Sequence, residues 1–269
     1  MSLATVPVYL VDAFAEQPFA GNGAAVCLLD GPADLAWMQA VADELQQAAT
    51  AFVCEQGEAF GLRWFVPGRE LQLCGHGTLA AAHTLWEAGQ LWPDAPARFH
   101  TVSGVLSARR DDALILLDFP AEPVQQAAPP SGLKEALGVD AVSVVRGRLD
   151  YLVELESAAA VRAVSPDMAL LRKVDTRGII VSAPSDTPDY DIVSRFFAPG
   201  VGIDEDAVTG SAHCLLGPYW STRLGKDALV GYQASARGGV VRVRVHGQRV
   251  ELGGQAQTVL RGSLVAPPA

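Results

Sequence analysis

The chain has 269 residues and a formal net charge of −10, with hydrophobic residues at 49% and charged residues at 19%. That length accommodates one large domain or two of about 135 residues, with a core that needs neither disulfides nor a structural metal. The composition excludes a disordered or fibrous chain, and the acidic balance disfavours the basic surfaces that bind nucleic acid or anionic lipid.

In chain order, Val6 to Phe14 and Ala25 to Leu29 are apolar or β-branched runs between turn signals, which predicts strands. Leu35, Met38, Val41, Ala42 and Leu45 recur three or four residues apart, which predicts a helix over Leu35 to Leu45. Ala51 to Cys54 and Leu62 to Val66 return to strand. Leu79 to Ala88 is Ala-rich and apolar nearly all round, the mark of a buried helix, with Gly89 as its stop. Pro120 to Gly132 is rich in Pro, Gln and Ala and reads as a linker. Val240 to Val245 alternates Val and Arg, as a strand with one wetted face does.

Cys27, Cys54, Cys74 and Cys214 are widely spaced, with no C-x-x-C pair, so neither a zinc site nor a disulfide framework is expected. There is no H-E-x-x-H, and no metal or cofactor is anticipated. Met1 to Thr5 lacks a basic region followed by an apolar core, and no apolar run reaches the length of a membrane span. The expectation is a cytoplasmic protein with no membrane and no nucleic-acid partner.

The chain contains a repeat. Arg63-Trp64-Phe65-Val66-Pro67-Gly68 returns as Arg195-Phe196-Phe197-Ala198-Pro199-Gly200, an offset of 132 residues (63 to 195). Cys74-Gly75-His76-Gly77 and Thr209-Gly210-Ser211-Ala212 each open a helix-like run, now 135 residues apart (75 to 210). The three extra residues are assigned to the Asp204-Glu205-Asp206 loop. Gly104 to Arg109 and Gly239 to Arg244 keep the offset of 135 (104 to 239). Three matches in one order predict two similar halves, 1–122 and 133–269, with a linker near 123–132 and a cleft between them.

Both helix-like runs begin at glycine-containing turns, and helix N-termini present unpaired N–H groups and a positive dipole end. A site for a small carboxylate-bearing molecule is expected there. Cys74, His76, Asp206, Thr209 and Ser211 border it, and the first-turn backbone of Gly75, Gly77 and Gly210 faces it. Thr209 and Ser211 read first as helix caps, and His83 and His213 as core or surface residues. Gly75-His76-Gly77-Thr78-Leu79-Ala80 fits G-x-G-x-x-A, but Ala88 to Arg98 holds no second strand with a ribose acid, so a nicotinamide fold is set aside.

Asp12-Ala13-Phe14, Gly21-Asn22-Gly23-Ala24-Ala25-Val26, Leu73-Cys74-Gly75-His76 and Glu205-Asp206-Ala207-Val208-Thr209-Gly210-Ser211-Ala212-His213 together resemble the PhzF-like (phenazine biosynthesis-like) isomerase family. The resemblance runs from Val8 to Leu264. It implies the diaminopimelate-epimerase-like α+β fold, two pseudo-symmetric halves each with a sheet wrapped round a central helix, and a homodimer. It further implies His76 and Asp206 as catalytic residues, with Asn22 among the substrate-binding ones. The family's proton-moving glutamate lies in a segment like N-L-S-E-T-A-F-V. Here Gln46-Gln47-Ala48-Ala49-Thr50-Ala51-Phe52-Val53 puts Ala49 in its place. Gly23 stands where relatives carry proline, which should loosen a turn. The epimerase relatives use two cysteines, and Thr209 occupies the second of those positions.

Three readings follow. The protein is an isomerase or epimerase with a relocated base, Asp206 or Cys74, and His76 as partner acid. It is a small-molecule-binding protein that has lost turnover. Or it is a scaffolding homologue.

Overall fold

Val6 and Val8 alternate inward along the first strand, a register shift between Leu10 and Val11 buries Val11 as well, and the same logic of buried apolar faces builds both halves of the chain. The computed structural model describes residues 5–266 and 268. The chain divides into two units, one holding the residues up to Asp118 together with those from Gly253 onward, the other Phe119–Leu252.

In the first unit, β1 (Val6–Ala13) pairs antiparallel with β2 (Asn22–Leu29), and β2 lies parallel to β3 (Thr50–Gln56). The crossover between them is α1 (Leu35–Leu45). Asp34 caps it by accepting from the backbone N–H of Ala36 and Trp37. Its inner face is narrower than the apolar spacing predicts: Met38, Val41 and Ala42 pack on Cys27, Phe52 and Phe65, while Leu35 stays exposed. β3 pairs antiparallel with β4 (Ala59–Val66), which takes β5 (Arg69–Leu71) antiparallel and β6 (Ala97–Thr101) parallel. Between them runs α2 (Gly75–Glu87), buried along most of its length as its Ala-rich sequence requires. The chain leaves it through Gly89 at φ +69°, which a side chain would resist. β7 (Gly104–Asp111) and β8 (Leu114–Pro120) complete an antiparallel meander from β6.

The second unit begins with β9 (Gln125–Gln126), α3 (Leu133–Leu137), β10 (Ser143–Arg146) and β11 (Asp150–Glu154). Then come α4 (Ala158–Ala163), α5 (Met168–Leu171), β12 (Gly178–Pro184), β13 (Ile192–Ala198) and β14 (Ile203–Asp206). It ends with α6 (Gly210–Leu224), β15 (Ala228–Gln233), β16 (Gly239–His246) and β17 (Arg249–Gly254). The pairing sequence repeats. β10 is antiparallel to β11, β11 parallel to β12, β12 antiparallel to β13, and β13 takes β14 antiparallel and β15 parallel. α6 contains Pro218, which has no N–H for the Cys214 carbonyl one turn back, and that carbonyl accepts from the N–H of Glu122 instead.

The repeat extends to side chains. Arg63 grips Glu70 through Nε and Nη2, and Arg195 grips Glu205 in the same bidentate way. Each guanidinium also lies over the aromatic ring two residues on, Phe65 or Phe197. The partners are 7 residues apart in the first copy and 10 in the second.

Three expectations change. The extra residues do not form an Asp204-Glu205-Asp206 loop: those residues belong to β14, and because Pro199-Gly200 repeats Pro67-Gly68 and Glu205 repeats Glu70, the insertion falls between Gly200 and Glu205, where a 3-10 turn leads into β14. The segment 123–132 is not a free linker. β9 pairs with β10 inside the second unit, and the last strand, β18 (Ala256–Leu264), pairs with β1 and so returns the C-terminal residues to the first unit. Gly23 loosens no turn, because it sits within β2 opposite Asp12.

Candidate functional site

In the first unit, β5 and the short turn after it deliver the chain to the start of α2. Cys74 is the N-cap, and its sulfur accepts the N–H of Gly77 at 3.3 Å. An N–H aimed at a sulfur favours negative charge on it. His76, in the first turn, is buried, and its Nδ1 and Nε2 lie 3.6 Å and 3.7 Å from that sulfur. Asn22, at the start of β2 and also buried, places its amide nitrogen 3.4 Å from His76 Nδ1. An amide nitrogen only donates, so this contact makes Nδ1 the acceptor and leaves the proton of the neutral ring on Nε2. Gly77 is a glycine because a Cβ there would come within 2.8 Å of the Trp64 ring. The buried Trp64 Nε1 has no hydrogen-bond partner among the described residues.

Ala49 is fully buried immediately before β3, and its carbonyl accepts the N–H of Ala25 at 2.9 Å. Thr50 pairs with Phe65, and Ile179 with Phe197. The repeat therefore makes Gly178 the counterpart of Ala49 and Arg177 the counterpart of Ala48.

In the second unit, Thr209 occupies the N-cap position of α6 but makes no cap bond. Its hydroxyl donates to Asp206 Oδ2 at 2.6 Å. Ser211 is likewise no cap, since its hydroxyl accepts from Arg177 Nη2 at 3.0 Å. The first-turn N–H groups of α6, from Gly210 on, thus have no side chain of the N-cap residue across them. Arg177 also makes a bidentate ion pair with Asp150. Burial pushes the Asp150 carboxyl up, with Arg177 opposing the shift, and the pair keeps the guanidinium charged.

Three residues of this neighbourhood escaped the sequence reading: Arg177, Asp150 and Gln233. Gln233, fully buried in β15, accepts the N–H of Thr209 at 2.9 Å and donates to the Asp206 carbonyl at 2.8 Å. The offset of 129 that pairs Arg177 with Ala48 shows only once the strands are paired, so no sequence signal marked Arg177. Nothing local marked Gln233.

His83 and His213 lie within their helices, as expected. Burial lowers the pKa of His83 despite Glu87 beside it, and lowers that of His213 to about 4. Burial also pushes the Cys27 and Cys214 thiols up to about 12, which keeps them unreactive. Among the described residues no cluster of three His, Cys, Asp or Glu side chains is gathered as metal ligands, and no helix is long and apolar enough to cross a membrane.

The sequence matches the model of the phenazine biosynthesis-like protein family, PhzC-PhzF, over residues 11–262. The chain belongs to this family. An uncharacterised isomerase of Halalkalibacterium halodurans is 47% identical over 262 residues, which cover 97% of this chain and 99% of that protein. A PhzF-family crystal structure from Enterococcus faecalis matches with a TM-score of 0.92 at 38% identity, covering 97% of this chain and 99% of that one. A probable proline racemase from Agrobacterium radiobacter matches at 12% identity with a TM-score of 0.67, covering 96% of this chain and 92% of that one, a likeness of fold alone. The PhzF member described here therefore has the α+β fold of the diaminopimelate-epimerase-like group.

Proposed function

We propose that this PhzF-family member is an isomerase or epimerase that moves a proton on a small carboxylate-bearing substrate, using the acid–base groups of its own side chains. The observation that carries the reading is the constellation at the start of α2, where Cys74 Sγ accepts the Gly77 N–H and lies against His76, whose Nδ1 meets Asn22. His76 is the partner acid. Asp206, held by the Thr209 hydroxyl, or Cys74 takes the proton. The first-turn N–H groups of α6, Gly210 and Ser211 among them, together with that of Gly75, suit the substrate's carboxylate. A positioned acid–base group contributes about 10²–10⁴ in rate, which is what the alanine at position 49 forgoes.

The test is proton exchange. A panel of cyclic amino and hydroxy acids is incubated with the protein in deuterated water and followed by NMR. Exchange at a carbon α or γ to the carboxylate, lost in His76→Ala and in whichever of Asp206→Asn or Cys74→Ala removes the base, is the expected result. No exchange across the panel with protein near substrate concentration sinks the reading.

The alternative, a binding protein without turnover, is favoured by one observation: Ala49 is fully buried and brings no acid or base to the glutamate's place. It expects members of the same panel to raise the melting temperature while only Ala49→Glu shows exchange. A panel that binds nowhere removes it as well.

A further inference from the structure

The first unit holds a cavity of about 400 Å³ that none of the residues at the start of α2 lines. Leu29, Met38 and Phe52 supply apolar lining, and Cys54, Arg63 and Thr101 supply polar lining. Volume and lining suit a small molecule with an apolar body and one polar end.

The second unit repeats this stretch of sheet with its groove filled. Arg195 repeats Arg63, and Val181, opposite Arg195, repeats Phe52, opposite Arg63. There α4 packs on β12 and β13, and Ala158 and Val161 join Val181 and Ala183 in one buried cluster. The carbonyls of Val161, Arg162 and Val164 accept from Arg195 Nη1 at 3.4, 3.3 and 2.6 Å. In the first unit the crossover is the single helix α1, which packs on Cys27, Phe52 and Phe65. Arg63 Nε and Nη2 are held by Glu70, while Nη1 has no hydrogen-bond partner among the described residues. The exposure of the two side chains follows: 39% for Arg63 against 13% for Arg195.

We propose that this cavity is a binding site for a small aliphatic molecule carrying a neutral carbonyl, such as an amide. The hydrocarbon body takes the place that Val161 fills in the second unit, and the carbonyl oxygen accepts from Arg63 Nη1 as the α4 carbonyls accept from Arg195. Glu70 already balances the guanidinium charge, so a neutral acceptor fits where a second carboxylate is repelled. This site does not depend on the isomerase reading.

Cys54 reports occupancy, because it lines the cavity and is part-exposed while Cys27, Cys74 and Cys214 are buried. Its alkylation by N-ethylmaleimide is followed by peptide mass spectrometry with octanamide, octanoate or octylamine present. Octanamide at several times its dissociation constant slows the reaction about fivefold by mass action. Octanoate slows it far less, and octylamine not at all. Arg63→Met abolishes the preference for octanamide. Glu70→Gln, which keeps the guanidinium in place, lets octanoate protect as well as octanamide does. No protection by octanamide, equal protection by all three, or an unchanged preference in both variants overturns the proposal. Protection that rises with protein concentration and no added ligand also overturns it, since a second copy of the chain then covers the cavity.

Discussion

The ring nitrogen Nδ1 of His213 lies 2.9 Å from the backbone carbonyl oxygen of Thr209, one turn back along α6. A carbonyl only accepts, so Nδ1 carries the proton, and Nε2 is left bare beside Gly231, without a hydrogen-bond partner among the described residues. Burial pushes the pKa down to about 4 from 6.5. The folded protein therefore resists protonation that the unfolded chain accepts, and this contribution to stability is present above pH 6.5 and lost as pH falls toward 4. Between pH 7 and pH 5 the loss is about 2 kcal/mol. Urea unfolding at the two pH values measures it. His213→Asn, which keeps a donor and removes the titration, flattens the slope; an unchanged slope refutes the assignment.

Gln233 ties the turn between Asp206 and Thr209 to β15 through both ends of its amide. Gln233→Leu leaves the Thr209 N–H and the Asp206 carbonyl without these partners, at a cost of about 2–3 kcal/mol. Hydrogen exchange of the Thr209 amide is the specific readout. It accelerates far more in Gln233→Leu than amides elsewhere in α6, whereas uniform acceleration indicates only general loss of stability.

The repeat was legible because it is written in residues whose partners are close in sequence. Arg63 and Glu70, Arg195 and Glu205, and Cys74 and His76 each fall within one hairpin or one helical turn. Gln233 and Arg177 were not legible, because Thr209 and Asp150 lie 24 and 27 residues away on other elements. Period reports which face of a strand is buried and says nothing of the strand it joins. The return of β18 to β1 escaped notice for that reason, although Val6 and Val8 already marked β1 as buried. The same limit hid the cavity: the two crossovers differ by one helix against two, and that difference shows only once the strands they span are paired.

Asp150 is buried and Arg177 spans it and Ser211. Arg177→Met leaves a buried carboxylate without its counter-charge, which costs about 3–5 kcal/mol. Asp150→Leu combined with Arg177→Met removes the stranded charge and recovers most of that loss. Chemical denaturation of the single and double variants decides, and a double variant as unstable as the single one contradicts the account.

The two arginines of the repeat make the same ion pair in different surroundings, so equal substitutions are expected to have unequal effects. Arg63→Met removes a pair whose arginine is well exposed, worth about 1 kcal/mol or less. Arg195→Met removes the partner of Glu205 and also leaves the carbonyls of Val161, Arg162 and Val164 without their donor beneath α4. The Val161 and Val164 carbonyls are part-buried, and such acceptors stripped of a charged donor cost about 1–3 kcal/mol. Arg195→Met is therefore expected to destabilise by about 1–3 kcal/mol more than Arg63→Met. Denaturant midpoints of the two variants, measured side by side, give the difference. Equal shifts mean that α4 holds its place on β12 and β13 by apolar packing alone, with the carbonyl contacts to Arg195 contributing nothing.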